Sequence, residues 1–135
     1  MKRSFALVLG LAMVAAVTAP AHAGNNVYRC EMKGQDRGWL PKELIIAHSD
    51  GSGGATVIDP IIQHFVGKPL GAKVKKDNAK IVSFQWTLRA QDSRGQNIRW
   101  QYRASITKAS GKLSLVATPL GYVGPLNGGG SCKKS

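Results

Sequence analysis

The groups in this chain that could do chemistry are few, and their spacing does not favour catalysis. Beyond residue 23 there are two histidines, His48 and His64, with Asp50 and Asp59 near them in sequence. A bound metal needs three or four converging ligands backed by a further layer of hydrogen bonds. Neither a His-x-His pair nor a His-Glu-x-x-His run is present. An elbow-type serine hydrolase needs Gly-x-Ser-x-Gly, and Gly51-Ser52-Gly53 lacks that spacing. A glycosidase needs two carboxylates flanking a cleft. With only 7 acids in the chain, Glu31, Glu43, Asp59 and Asp77 carry no mark of pairing. The Gly51–Gly54 run has no Lys-Ser/Thr after it, so it is not a phosphate-cradling loop. No catalytic, metal or cofactor site is assigned, and the chain reads as a non-enzyme.

The two cysteines and the basic residues are more informative. Cys30 and Cys132 stand near opposite ends of the chain. A redox pair usually brings its thiols together as Cys-x-x-Cys. Two distant cysteines in an exported protein are instead expected to pair as a structural staple. Closing a loop of about a hundred residues stabilises a fold by up to ~4.7 kcal/mol through chain entropy. Lys and Arg number 19 against 7 acids, for a net charge of +12. Such a surplus keeps a domain dispersed and draws it to polyanions.

Export is written at the N-terminus. Met1-Lys2-Arg3 is a short positive stretch, and an apolar segment follows from Phe5 to Val17. Ala21-His22-Ala23 supplies small residues for cleavage between Ala23 and Gly24. The apolar segment falls short of the roughly 20 residues needed to span a bilayer. Residues 1–23 therefore read as a cleavable signal peptide and 24–135 as a single β domain, periplasmic or secreted. The polyanions of a bacterial envelope include lipid headgroups and acidic glycans. Export makes a nucleic acid an unsuitable natural partner.

The elements that would position these residues are strands. Along Ile81–Arg89, Phe84, Trp86 and Leu88 alternate with Ser83, Gln85, Thr87 and Arg89. Ile98–Thr107 repeats this, with Trp100, Tyr102, Ala104 and Ile106 opposite Arg99, Gln101, Arg103 and Ser105. Lys112–Ala117 turns Leu113, Leu115 and Ala117 inward. Alternation with a period of two predicts half-buried strands. Val27–Met32, Glu43–His48, Ala55–Ile58 and Leu70–Lys76 complete about seven or eight strands in a small antiparallel sandwich or barrel. Asp59-Pro60 opens a short helical turn that Gly67 ends. Glycines at 51–54 and at Asn127–Gly130 mark loops, the second giving Cys132 slack to reach its partner.

This arrangement puts Trp86 and Trp100 in the core and leaves Trp39 as a candidate rim aromatic. It places Arg89, Arg99 and Arg103 on the outer faces of neighbouring strands, with Lys73, Lys75 and Lys112 also facing water. Together they form a candidate anion-binding face. The leading functional expectation is a non-enzymatic envelope protein that binds an anionic surface or polymer. One alternative is a carrier holding an apolar ligand against Trp86, Trp100 and Tyr102. Another is an unrecognised enzyme using Asp59, His48 or His64.

Tyr28-Arg29-Cys30, Gly38-Trp39-Leu40-Pro41, Asp59-Pro60-Ile61-Ile62, Phe84-Gln85-Trp86-Thr87-Leu88, Tyr102-Arg103-Ala104 and Thr118-Pro119-Leu120-Gly121-Tyr122 resemble a family of small uncharacterised exported proteins of Gram-negative bacteria. That resemblance implies export and a single domain, and no chemistry. Tyr28, Cys30 and Cys132 are also loosely similar in placement to the periplasmic C-type lysozyme inhibitors, which are small β barrels. The chain departs from them in having no Ser-Gly-x-x-Tyr loop. A strongly basic protein would also be repelled by a basic lysozyme. The resemblance implies a barrel and not inhibition.

Intact-mass measurement of the exported protein is expected to give the chain Gly24–Ser135 with both cysteines oxidised. A retained leader, or thiols that react with an alkylating agent without prior reduction, would contradict this reading.

Overall fold

A computed structural model describes residues 25–33, 38–122 and 124–135. The expected cleavage position at Ala23 and Gly24, and the expected leader before it, lie outside the described residues. Eight strands follow in chain order: β1 Asn25–Lys33, β2 Glu43–Ser49, β3 Gly54–Ile58, β4 Leu70–Asp77, β5 Ile81–Gln91, β6 Asn97–Thr107, β7 Lys112–Pro119 and β8 Leu126–Lys134. Each pairs antiparallel with the next, and β8 returns to β1, so the sheet is a closed barrel. Among the described residues there is one short helix, α1 at Pro60–Phe65, and it links β3 to β4. Of the sandwich and the barrel, the chain takes the barrel.

The interior is made by the alternation itself. Phe84, Trp86 and Leu88 of β5, Trp100, Tyr102, Ala104 and Ile106 of β6, and Leu113, Leu115 and Ala117 of β7 are all buried. Leu44, Ile46 and Val57 close the other side. Fully burying a Leu or Ile side chain contributes about 1.5–3 kcal/mol. Aromatic pairs fill the middle: Trp86 lies parallel to Tyr102 at 5.5 Å, and Tyr28 meets Phe84 at 6.2 Å. Eight strands enclose a space that side chains of this size can occupy completely.

The glycine run at the C-terminus corrects a sequence expectation. Asn127–Gly130 is not a slack loop but the first half of β8, paired throughout with β7 and, at Gly129 and Gly130, with β1 as well. Its glycines let the last strand lie hard against the first. A Cβ on Gly130 would overlap the carbonyl oxygen of Glu31, and one on Gly128 would stand 2.6 Å from the Met32 Cε. Two positions further on, Cys132 sits directly opposite Cys30 in the register and is bonded to it. Both sulfurs face the interior, at 2% and 9% exposure for the two residues. The staple therefore spans the seam that closes the barrel.

Antiparallel order gives the barrel two unlike rims. One carries the turns at 50–53, 78–80 and 108–111 together with Asn25 and Ser135. Val27 and Ser135 exchange backbone hydrogen bonds there, at 3.3 and 2.9 Å. The other rim carries α1, the β5–β6 turn, residues 38–42 and the connection after β7. α1 forms because Asp59 caps it, its carboxylate accepting the Ile62 N–H at 2.7 Å, and Pro60 presets the first turn. Ile62 drops from it into the barrel mouth and is fully buried. Leu40, also buried, plugs the same mouth.

Gly130→Ala is expected to destabilise the disulfide-bonded protein by roughly 2–3 kcal/mol through overpacking at the seam. Gly53→Ala, where a Cβ meets nothing within 4 Å, is expected to stay within about 0.5 kcal/mol of the parent. Urea denaturation of the two variants checks this. Equal midpoints would remove the tight-seam account of β8.

Candidate anion-binding groove

β5 and β6 are the longest strands, and their hairpin pairs without interruption from Ile81↔Thr107 to Gln91↔Asn97. β4 accompanies β5 only as far as Gln85. Beyond that point β5 runs beside α1 instead of a strand. The hairpin end, α1 and Leu120 enclose an open groove of about 860 Å3. His64, Phe65, Arg89, Ile98, Arg99 and Leu120 are among the residues that line it. Leu120 is fixed there because its N–H donates to the Arg99 carbonyl at 2.8 Å.

Register brings the two arginines together. Arg89 and Arg99 are direct cross-strand partners on the outer face, and both are exposed. Among the described residues neither has an acid within ion-pair distance. Like charges directly opposite on a sheet repel, so the pair leaves an unneutralised positive site at the groove wall. Beneath it lies an aromatic stack, with Trp39 5.6 Å from Phe65 and 5.1 Å from Trp100. Trp39 is half-buried at the rim, and its carbonyl accepts the Tyr102 hydroxyl at 2.7 Å. That bond ties residues 38–42 to β6.

The other candidate basic residues disperse. Lys73, Gln85 and Arg103 share one row across β4, β5 and β6. The Arg103 guanidinium donates to the Gln85 Oε1 at 3.2 Å. This row lies four residues from the Arg89–Arg99 pair, about 13 Å along the strand. Lys75 falls at the bulge between Val74 and Lys76. Lys112 faces Ser131 of β8, whose other neighbour is Glu31 of β1 and then Glu43 of β2. It therefore belongs with the acidic side of the barrel, away from the arginine pair. The groove residues His64, Phe65 and Leu120 were not legible as a site. Their one signal was the Asp59-Pro60 helix start, which places the α1 side chains at a barrel mouth.

The titratable groups elsewhere serve the fold. His48 is buried at the opposite rim from His64, with its Nε2 3.1 Å from the Ser52 carbonyl and its ring edge-on to Phe84. Asp50 accepts a hydrogen bond from the Asn26 side-chain amide. Asp77 forms an ion pair with Lys108 at 2.7 Å. The Lys108 hydrogen bond holds the Asp77 carboxyl below its usual range. Burial raises the Tyr102 hydroxyl above its ordinary value, and the nearby Asp59 charge adds to this. Burial likewise raises Asp59, against the two backbone N–H groups that favour its charged form. Among the described residues no cluster of three or more His, Cys, Asp or Glu side chains could hold a metal ion.

Comparison with protein-family models, curated proteins and solved structures finds no match to this chain. The groove geometry alone therefore supports any functional reading.

Asp59 generates a pH test. Its folded carboxyl titrates above the ordinary value of 3.8. Between those two values the fold holds a proton that the unfolded chain releases. Its contribution to stability is thus complete below the ordinary value and lost as the pH rises through the elevated one. Asp59→Asn keeps a capping oxygen and removes the charge. It is expected to flatten the stability-pH curve above pH ~4. Urea midpoints at stepped pH check this, and an unchanged slope would sink it.

Proposed function

We propose that the mature chain is a non-enzymatic binding protein of the bacterial envelope, and that its Arg89–Arg99 groove takes an anionic group presented on a surface or polymer. The carrying observation is the opposed, unpaired arginine pair on a groove wall. Two guanidiniums at cross-strand distance repel until an anion sits between them. Each can then meet a phosphate or carboxylate with paired hydrogen bonds. The chain's surplus of 19 basic over 7 acidic residues steers such ligands toward it.

Support for a binding role also comes from the groove lining. Among the described residues, the lining combines the two arginines with Phe65, Ile98 and Leu120. The leader pattern and the interior disulfide fit export into an oxidising compartment. A ligand carried inside the barrel draws no support from the packing, because Trp86 and Tyr102 stack where it would sit.

Binding to anionic vesicles and to an acidic glycan is expected at low salt. It should weaken as the screening length falls from about 30 Å at 0.01 M to about 8 Å at 0.15 M. The double variant Arg89→Gln/Arg99→Gln is expected to bind at least about tenfold less tightly, a loss of ~1.4 kcal/mol or more. Lys112→Gln, at the opposite rim of the barrel, should bind nearly as well as the parent. If Lys112→Gln lowers affinity as much as the arginine variant does, net charge and not the groove governs binding.

A further inference from the structure

The large apolar side chains exposed among the described residues are Phe65, Leu120 and Tyr122, at 37%, 36% and 57%. Exposed apolar residues scattered singly need no explanation. These three are not scattered. Phe65 ends α1, while Leu120 and Tyr122 follow β7, so all belong to the rim that carries the helix. The opposite rim presents Asp50, Asn78, Lys80, Lys108 and Ser110 in its turns.

Cations surround the apolar tips. Arg89 and Arg99 wall the groove between Phe65 and Leu120. Arg94 is exposed at the β5–β6 turn, and Lys68 is exposed just after α1. Among the described residues, the acids of this sector hold backbone N–H groups. The Asp59 carboxylate caps α1, and Asp92 accepts the N–H groups of Arg94 and Gln96 within its own turn. Glu31 and Glu43 lie on β1 and β2, across the barrel from the β5–β6 hairpin.

We propose that this rim is a membrane-docking surface for an anionic phospholipid bilayer. Phe65, Leu120 and Tyr122 enter the boundary between headgroups and acyl chains, and Arg89 and Arg99 meet lipid phosphates. The inference rests on the reading of the arginine pair as an anion site and names the surface that carries the anion. Position supports it. The Leu120 N–H donates to the Arg99 carbonyl at 2.8 Å, and Phe65 shares the groove lining with both arginines, so apolar tips and cations stand side by side on this rim. Aromatic side chains favour the headgroup layer, and basic ones are drawn to anionic lipid. A soluble acidic polymer would use the arginines and leave three apolar tips in water. Lipid uses both.

The test takes the full disulfide-bonded protein through two assays at low salt. One is flotation with vesicles containing phosphatidylglycerol, beside vesicles of phosphatidylcholine alone. The other is retention on immobilised dextran sulfate, a soluble-type polyanion without an apolar phase. Phe65→Ser/Tyr122→Ser is expected to lower partition onto the anionic vesicles at least about tenfold, as two apolar side chains stop being buried. Tyr122→Ser alone should lower the partition in the same direction, and it guards against loss of fold, because Tyr122 is 57% exposed. Tyr122→Ser by itself, outside the groove lining, should leave retention on dextran sulfate unchanged. Arg89→Gln/Arg99→Gln should fall in both assays. Vesicle binding that survives the apolar substitutions, with the arginine effect intact, overturns membrane docking and leaves the anion site standing. Arginine variants that match the parent in both assays overturn the anion site itself.

Discussion

A sheet has two edges until its first and last strands pair, and each edge is a row of backbone N–H and C=O groups open to another chain. Here eight strands remove both edges by bringing β8 against β1. That single pairing sets the rest. It fixes the circumference, and with it the volume that Trp86, Tyr102, Phe84 and Tyr28 must fill. Two features hold it. The glycines at 128 and 130 keep the inner face of β8 free of side chains where Met32, Leu40 and the Glu31 carbonyl approach. The bond between Cys30 and Cys132 then lies across the seam as its covalent clasp. Gly111 completes the corner. It is in the left-handed region at φ 73°, and its carbonyl accepts the Cys132 N–H at 2.7 Å.

Closure also makes the rims differ. Turns of a few residues finish one rim. At the other, the chain inserts α1, whose Ile62 corks the mouth beside Leu40. Because β4 leaves β5 at Gln85, the end of the β5–β6 hairpin gains a helix for a neighbour in place of a strand. The groove is the mismatch between those two shapes. Its walls inherit both the outward arginines of the strands and the apolar face of the helix. A site that is cationic and apolar together thus follows from the way the barrel is stopped.

Buried polar groups inside the barrel serve its architecture. The Tyr102 hydroxyl anchors the Trp39 carbonyl, and the Asp59 carboxylate caps α1. The indole N–H groups of Trp86 and Trp100 are buried with no acceptor among the described residues. A donor left in that condition costs about 1–3 kcal/mol, so these rings are retained for their packing area. Trp100 supports Trp39, which supports Phe65. The stack runs from the core out to Phe65 in the groove lining.

Alternation along Ile81–Arg89, Ile98–Thr107 and Lys112–Ala117 identifies strands and their buried faces without reference to the rest of the chain. Each side chain reports its own environment there, and the period of two is a local property. The Asp59-Pro60 helix start is local in the same sense. β8 escaped because glycine has no side chain to alternate, so Asn127–Gly130 reads as a loop until a neighbour is known. Closure itself has no local signature, since a sandwich and a barrel use the same half-buried strands. The basic face divided for the same reason. Outward orientation can be read residue by residue, but which outward residues meet depends on register and on where each strand stops. The hairpin register put Arg89 opposite Arg99, and circular order carried Lys112 toward Glu31. The apolar half of the groove joined them only when α1 folded over the barrel mouth.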